Sequence, residues 1–239
     1  MATSEPVTAG EVISRIRRAG ADGLVIEFSD PAWVTALDAA ARERWSGPAA
    51  RDRRVRDIVP AAHSLLLDGI ALGDGRGRAA AALGSDDVEG LARELSSWTL
   101  SAPQSRNAPR VDVPVVFDGP DLESVAGMWD MTVADAIATV VGCEFQVAFC
   151  GFAPGFGYMT GLPDGREVPR RSSPRTRVPA GSFGLAGQYA GLYPRSSPGG
   201  WQLLGTAVGV ALWDESREPP ALLTPGTRVR ILEHEGETT

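Results

Sequence analysis

The sequence predicts an α+β N-terminal domain followed by an all-β barrel or sandwich with short helices. Three observations carry this. The first hundred residues read as strand–helix–strand–strand–helix. Ser101 to Pro109 has the polar, proline-containing character of a linker. After Cys150 helical periodicity disappears, and short apolar runs alternate with turn residues. The boundary is placed so that residues 1–105 form the first domain and residues 106–239 the second.

Taken in order, residues 1–10 read as a flexible start and Glu11 to Arg18 as a short helix with Val12, Ile13 and Ile16 on one side. Leu24 to Phe28 is a buried strand bounded by Gly23. Ser29-Asp30-Pro31 opens a helix, with a capping side chain followed by proline at the first helical position. That helix carries Trp33, Ala36, Leu37 and Ala40 on one face, reaches about Trp45 and ends at Gly47-Pro48. Val55 to Val59 and Ser64 to Ile70 are strands, and Gly69 to Gly77 is a loop. A second helix follows Ser85-Asp86, with Val88, Leu91, Leu95 and Trp98 at helical spacing.

The second domain opens with a strand, Val111 to Phe117. Asp121 to Trp129 and Thr132 to Val141 read as two short helices, the latter capped by Thr132. Glu144 to Cys150 returns to a strand. Ala207 to Trp213 and Thr227 to Leu232 are predicted as the last two strands, the second introduced by Thr224-Pro225-Gly226.

Composition narrows the chemistry. The 239-residue chain is 43% hydrophobic and 22% charged, ordinary values for a globular protein. A net charge of −7 argues against nucleic acid as the main partner. All 23 basic residues are arginine, so the chain has no P-loop lysine, Schiff-base lysine or biotinylation site. Cys143, Cys150, His63 and His234 match no zinc spacing, so no metal is expected and the two cysteines read as packing residues. His63 reads as a structural histidine. The N-terminus lacks a signal-peptide pattern, and no apolar run approaches the ~20 residues of a membrane span. The expected location is cytoplasmic, without a membrane partner.

The chemistry-bearing stretch is residues 149–201. Arg166, Arg170, Arg171, Arg175 and Arg177 crowd into twelve residues with Glu167 as the one acid among them. From Val168 to Trp213 every charged side chain is an arginine, and Asp, Glu, His, Lys and Cys are absent. Such a surface suits carboxylate or phosphate oxygens but offers no general base. Pro169, Pro174 and Pro179 stiffen the loop, and Gly181, Gly199 and Gly200 permit tight turns and close backbone approach. Two readings stand side by side: a cradle for an anion, with one or two arginines held by carboxylates, or a barrel rim whose arginines are solvated. Ser182, Ser196 and Ser197 have no histidine near them in sequence, against a serine-hydrolase triad. Asp118 and Asp121 flank Gly119-Pro120 and read as turn residues.

Gly151-Phe152-Ala153-Pro154-Gly155-Phe156-Gly157-Tyr158-Met159, Gly161-Leu162-Pro163, Pro169 to Arg175, Val178-Pro179-Ala180-Gly181-Ser182 and Ser197 to Gly205 together resemble one family's signature. It is the family of allophanate hydrolase subunit 1, also known as the B component of 5-oxoprolinase, and of the small protein that inhibits a sporulation kinase. The resemblance is strong over residues 110–232 and weaker before, where Val59-Pro60 and Ser64-Leu65-Leu66 fit. The sequence departs from the pattern at Tyr189-Ala190 and at Thr206-Ala207-Val208, where the family usually reads Gln-Thr and Arg-Thr-Pro, and at Phe117, where it reads tyrosine. These changes remove an amide, a hydroxyl and an arginine from the region that the family pattern turns toward a ligand.

The resemblance implies a cyclophilin-like β-barrel in the second domain and a partner, subunit 2 of the same hydrolase, with a related barrel. It implies one half of a heteromeric amide-bond hydrolase acting on 5-oxoproline or allophanate, active with its partner, which would supply the missing base. No cofactor is expected on this chain alone, and ATP would be used by the assembled complex. Arg170, Arg175 and Ser182 are the implied catalytic residues. Pro154, Gly155, Tyr158, Arg171 and Arg177 are implied in substrate binding, together with Tyr193, Gly199, Gly200 and Trp201. Two alternatives stand: a carboxyltransferase component of a biotin-dependent, urea-carboxylase-like system, and a non-enzymatic inhibitor of a histidine kinase.

Overall fold

The computed structural model describes residues 6–46, 55–71, 83–101 and 109–235. Gly47-Pro48, residues 72–77 of the expected loop and residues 102–108 of the expected linker lie outside the described residues. The chain divides into two compact units, Met1–Ser105 and Arg106–Thr239.

In the first unit β1 (Val7–Thr8) leads into α1 (Ala9–Val12), followed by β2 (Ile13–Ala19) and β3 (Gly23–Phe28). Next come α2 (Ala32–Ala41), continued by a π-helical turn Arg42–Ser46, then β4 (Asp57–Pro60), β5 (Ser64–Asp68), α3 (Ser85–Ser96) and β6 (Thr99–Leu100). Strands β2, β3, β5 and β4 form one antiparallel sheet in that order, and β1 pairs with β6. Asp30 caps α2 by accepting from the Ala32 amide at 2.9 Å. Leu24, Ile26, Leu65 and Leu67 of the sheet are sealed under Leu37, Leu91 and Leu95 of the helices.

Two sequence expectations fail here. Residues 7 and 8 are not a loose start, since they pair with Thr99 and Leu100. The helix expected over Glu11 to Arg18 is helical only at Glu11 and Val12, the end of α1; from Ile13 on it is instead the edge strand β2. A bulge between Ile13 and Arg15 inserts one residue, so the buried-side residues Ile13 and Ile16 fall three apart and imitate helical spacing.

The second unit contains β7 (Arg110–Val116), α4 (Leu122–Met128), α5 (Val133–Gly142), β8 (Phe145–Cys150) and β9 (Gly157–Thr160). It continues with β10 (Arg175–Val178), β11 (Ser182–Ala186), β12 (Tyr189–Leu192), β13 (Ser197–Gly199), β14 (Gln202–Ala207) and β15 (Arg228–Glu233). Seven strands close a barrel in the order β11-β12-β9-β8-β15-β7-β14, while β10 and β13 form a separate two-stranded ribbon. β7 and β15 run parallel, and the other barrel pairs are antiparallel.

Alternation fills the core: Val113 and Val115, Phe145 and Val147, Phe183 and Leu185, and Val229 and Ile231 are all fully buried. Each such side chain contributes about 1.5–3 kcal/mol of burial. Thr132 caps α5 through the Asp135 amide at 3.1 Å. The predicted strand Ala207 to Trp213 is not formed beyond Ala207; the strand lies one step earlier, at Gln202–Ala207. Gly209 turns the chain out of extended geometry with φ of +69°, leaving Val208 and Trp213 exposed.

Candidate functional site

The turn leaving β7 is pressed against β14. Gly119 donates to the Leu204 carbonyl at 3.0 Å and Asp121 to the Leu203 carbonyl at 3.1 Å. The backbone of Leu203 and Leu204 occupies the space where a Gly119 side chain would lie, so only glycine permits this approach. Close docking carries Asp121 inward until it is 3% exposed.

Buried carboxylates require partners, and Asp121 has three. Its Oδ2 accepts from the Leu203 amide at 2.7 Å, and its Oδ1 accepts from Arg171 Nη1 and Arg175 Nη2, each at 2.8 Å. Burial on its own would raise this carboxyl. The Arg175 hydrogen bond, the Leu203 amide and the two guanidinium charges outweigh it and hold Asp121 below the ordinary carboxylate range. One buried anion therefore fixes two cations that would otherwise repel.

Beside this clamp lies a cleft of about 220 Å³, smaller than the ~300–1,000 Å³ of drug-sized sites and matched to a small metabolite. Arg175, Arg177, Pro179 and Ser182 line it together with Asp118 and Thr206. Arg177 reaches Ser196 Oγ at 3.1 Å. Thr206 Oγ1 donates to Asp118 Oδ1 at 3.0 Å. Ser182 is buried at the start of β11, its backbone carbonyl accepting from the Tyr193 amide. The cleft thus sets guanidinium groups and a carboxylate around a volume of metabolite size.

The other expected site residues fall elsewhere. Arg166 donates to the Trp129 carbonyl at 2.8 Å, with its guanidinium 5.9 Å from the indole centre. Arg170 is exposed, and its charge acts on the phenols of Tyr158 and Tyr193. Burial pushes both phenols up, against that charge. Tyr193 and Trp201 are themselves buried, edge-on to Phe156, with the Trp201 amide hydrogen-bonded to the Tyr193 phenol.

Gly191 lies beneath this aromatic group: an added Cβ would stand 2.8 Å from Phe156 and 2.9 Å from Trp201. Gly199 pairs with Arg175 across the β10–β13 ribbon, and the Gly200 carbonyl accepts from the Arg171 amide at 2.8 Å. Pro154 is exposed on the turn before β9, and Gly155 is buried against Trp213 and Pro194. In the same turn Phe152 is 56% exposed with φ of +66°, a strained position for an aromatic residue. The arrangement brings Arg175, Arg177 and Ser182 to one cleft, sets Arg171 on the clamp behind it, and places Arg170 and Tyr158 with the aromatic group.

Asp118 and Asp121 are more than turn residues. The sequence signal for them is indirect: a segment of arginines without an acid must borrow its counter-ion from elsewhere in the chain. Among the described residues no group of three or more His, Cys, Asp and Glu is placed to hold a metal. Cys143 and Cys150 are free thiols.

A closed barrel with short helices, carrying a clamped arginine pair beside a small cleft, defines the class. The chain belongs to the family described as carboxyltransferase domain, subdomains C and D, whose model matches residues 14–223. It is 39% identical over 153 residues to the B component of 5-oxoprolinase from Escherichia coli O157:H7, covering 63% of this chain and 68% of that protein. The crystal structure of TTHA0988 superposes with a TM-score of 0.66 at 33% identity, covering 94% of this chain. The chain spans only 41% of the length of TTHA0988. The Kluyveromyces lactis urea amidolyase shares the fold, with a TM-score of 0.68 at 18% identity over 93% of this chain and 15% of its own.

Proposed function

We propose that this chain is one subunit of a heteromeric, ATP-dependent 5-oxoprolinase, opening the cyclic amide of 5-oxoproline. The observation that carries the reading is the cleft flanked by Arg175 and Arg177, with Arg175 oriented from behind by buried Asp121. The name of the E. coli relative agrees with it. Guanidinium forks suit the substrate's carboxylate and the charge that develops as its amide carbonyl is attacked. Ser182 lines the same cleft.

ATP is consumed by the assembled complex. No motif of this chain is assigned to ATP, and with no lysine its own cationic contacts are limited to arginine. Subunit 2 of the same hydrolase completes the site and supplies further proton-transfer groups in this reading. The complex works in the cytoplasm; among the described residues no single helix is long and apolar enough to cross a membrane.

A second reading, biotin-dependent carboxyl transfer, has only the word carboxyltransferase in the description of the matching family behind it, and the 5-oxoprolinase relatives do not favour it. It requires a separate carrier, since this chain has no lysine to biotinylate. The two separate in one assay. The chain purified with its partner is given 5-oxoproline with ATP, then allophanate, then a carboxybiotin carrier with urea. ATP-dependent release of glutamate supports the first reading; turnover of the other substrates alone removes it.

A further inference from the structure

We infer that Asp118 is a specificity-determining residue that accepts the ring N–H of a small cyclic amide whose carboxylate is held by the arginines of the same cleft. The inference rests on the 5-oxoprolinase reading and deepens it, because it assigns the substrate's second polar group to a named atom.

Asp118 stands in the cleft that also contains Arg175 and Arg177. Its Oδ1 is taken by the Thr206 hydroxyl at 3.0 Å. Asp118 is exposed to solvent, and among the described residues its Oδ2 has no hydrogen-bond partner and it joins no ion pair, whereas the two oxygens of buried Asp121 take three donors. Thr206 therefore fixes the carboxylate's orientation without neutralising it.

The strand that presents Thr206 is held on both sides. Thr206 pairs with Val116 of β7 and with Ser182 of β11. Asp118 follows β7 directly, and its amide donates to the Val116 carbonyl at 3.0 Å. Both members of the Asp118–Thr206 pair are thus set by the barrel frame, as a recognition element requires.

An ionised carboxylate accepts hydrogen bonds and donates none. A ligand in this cleft meets guanidinium donors and a carboxylate acceptor, so one that carries both a carboxylate and an N–H group suits it. A lactam carboxylate has both features on one small ring. A lactone carboxylate of the same shape has the anion but turns a ring oxygen toward Asp118, placing lone pairs against lone pairs. Sites built to pair a donor reject the analogue lacking it more strongly than they reject a change of size.

The test is binding to the chain assembled with its partner subunit, measured by ligand-observed NMR and calorimetry with 5-oxoproline and with its ring-oxygen lactone analogue. Wild type is expected to prefer the lactam by about tenfold or more, the scale of one hydrogen bond to a charged group. Asp118→Ala is expected to erase that preference by weakening the lactam alone, and Thr206→Val to reduce it. Arg177→Ala is expected to weaken both ligands and keep their ratio. Equal binding of the two ligands to wild type, or a preference that survives Asp118→Ala, overturns the role of Asp118 and leaves the 5-oxoprolinase reading standing. Failure of the wild-type complex to bind either ligand at millimolar concentration removes that reading and this inference with it.

Discussion

Arg175 Nη2 donates to Asp121 Oδ1 at 2.8 Å, across 54 residues of sequence, and the same oxygen takes a second donor from Arg171. The carboxylate is 4% exposed, against 22% for Arg175 and 37% for Arg171. The acid is the buried anchor and the arginines reach from it towards solvent.

Removing that anchor strands two guanidinium groups and the Leu203 amide. Asp121→Ala is expected to lower stability by about 3 kcal/mol, the scale for breaking one member of a buried charged set. Chemical denaturation with an unchanged m-value measures it.

The pH dependence has a fixed sign. Asp121 titrates lower in the folded chain than its ordinary 3.8, so the folded state favours the ionised form. Its contribution is fully present above that ordinary value and is lost as pH falls through the lower folded value. Denaturation midpoints taken from pH 6 down to pH 2 are expected to converge for wild type and Asp121→Ala at the acid end.

Gly119 governs the same anchor through the backbone. A methyl group at Gly119 meets Leu203 and Leu204, so Gly119→Ala pushes the turn off β14 and withdraws Asp121 from the Leu203 amide. The variant is expected to lose about 2–4 kcal/mol. Combined with Asp121→Ala, the two losses are expected to fall well short of their sum, as coupled neighbours do. A double-mutant cycle by denaturation reads this directly.

The thiols are expected to be inert. Burial pushes Cys150 up to about 11 and Cys143 above its ordinary value, and thiolate is the reactive form. A thiol-specific chromogenic reagent at pH 8 is expected to label the native chain slowly and the unfolded chain at once.

Much of the fold is legible in the residues. Alternation at Val113 and Val115, the cap at Thr132 and the loss of helical period after Cys150 each have a local cause, and each appears in the structure. The misreadings come from geometry that local pattern does not carry. The bulge at Ile13–Arg15 disguises a strand as a helix, and positive φ at Gly209 stops an apolar run from extending. In the site, the density of the arginines leaves two readings open, an anion cradle and a solvated rim. Which of them face the cleft is decided by Asp121 and Gly119, more than fifty residues from Arg175, and no local spacing encodes that contact.

The most direct test uses Arg177, which touches the cleft and Ser196 and takes part in no buried ion pair among the described residues. The measurement is kcat/KM for ATP-dependent 5-oxoproline turnover by the complex assembled with Arg177→Ala. The account predicts a fall of about tenfold to a hundredfold, as for one charged hydrogen bond, with the thermal midpoint of the variant chain unchanged. Turnover equal to wild type in a complex that assembles normally would contradict it, leaving the arginines as a solvated rim of the barrel.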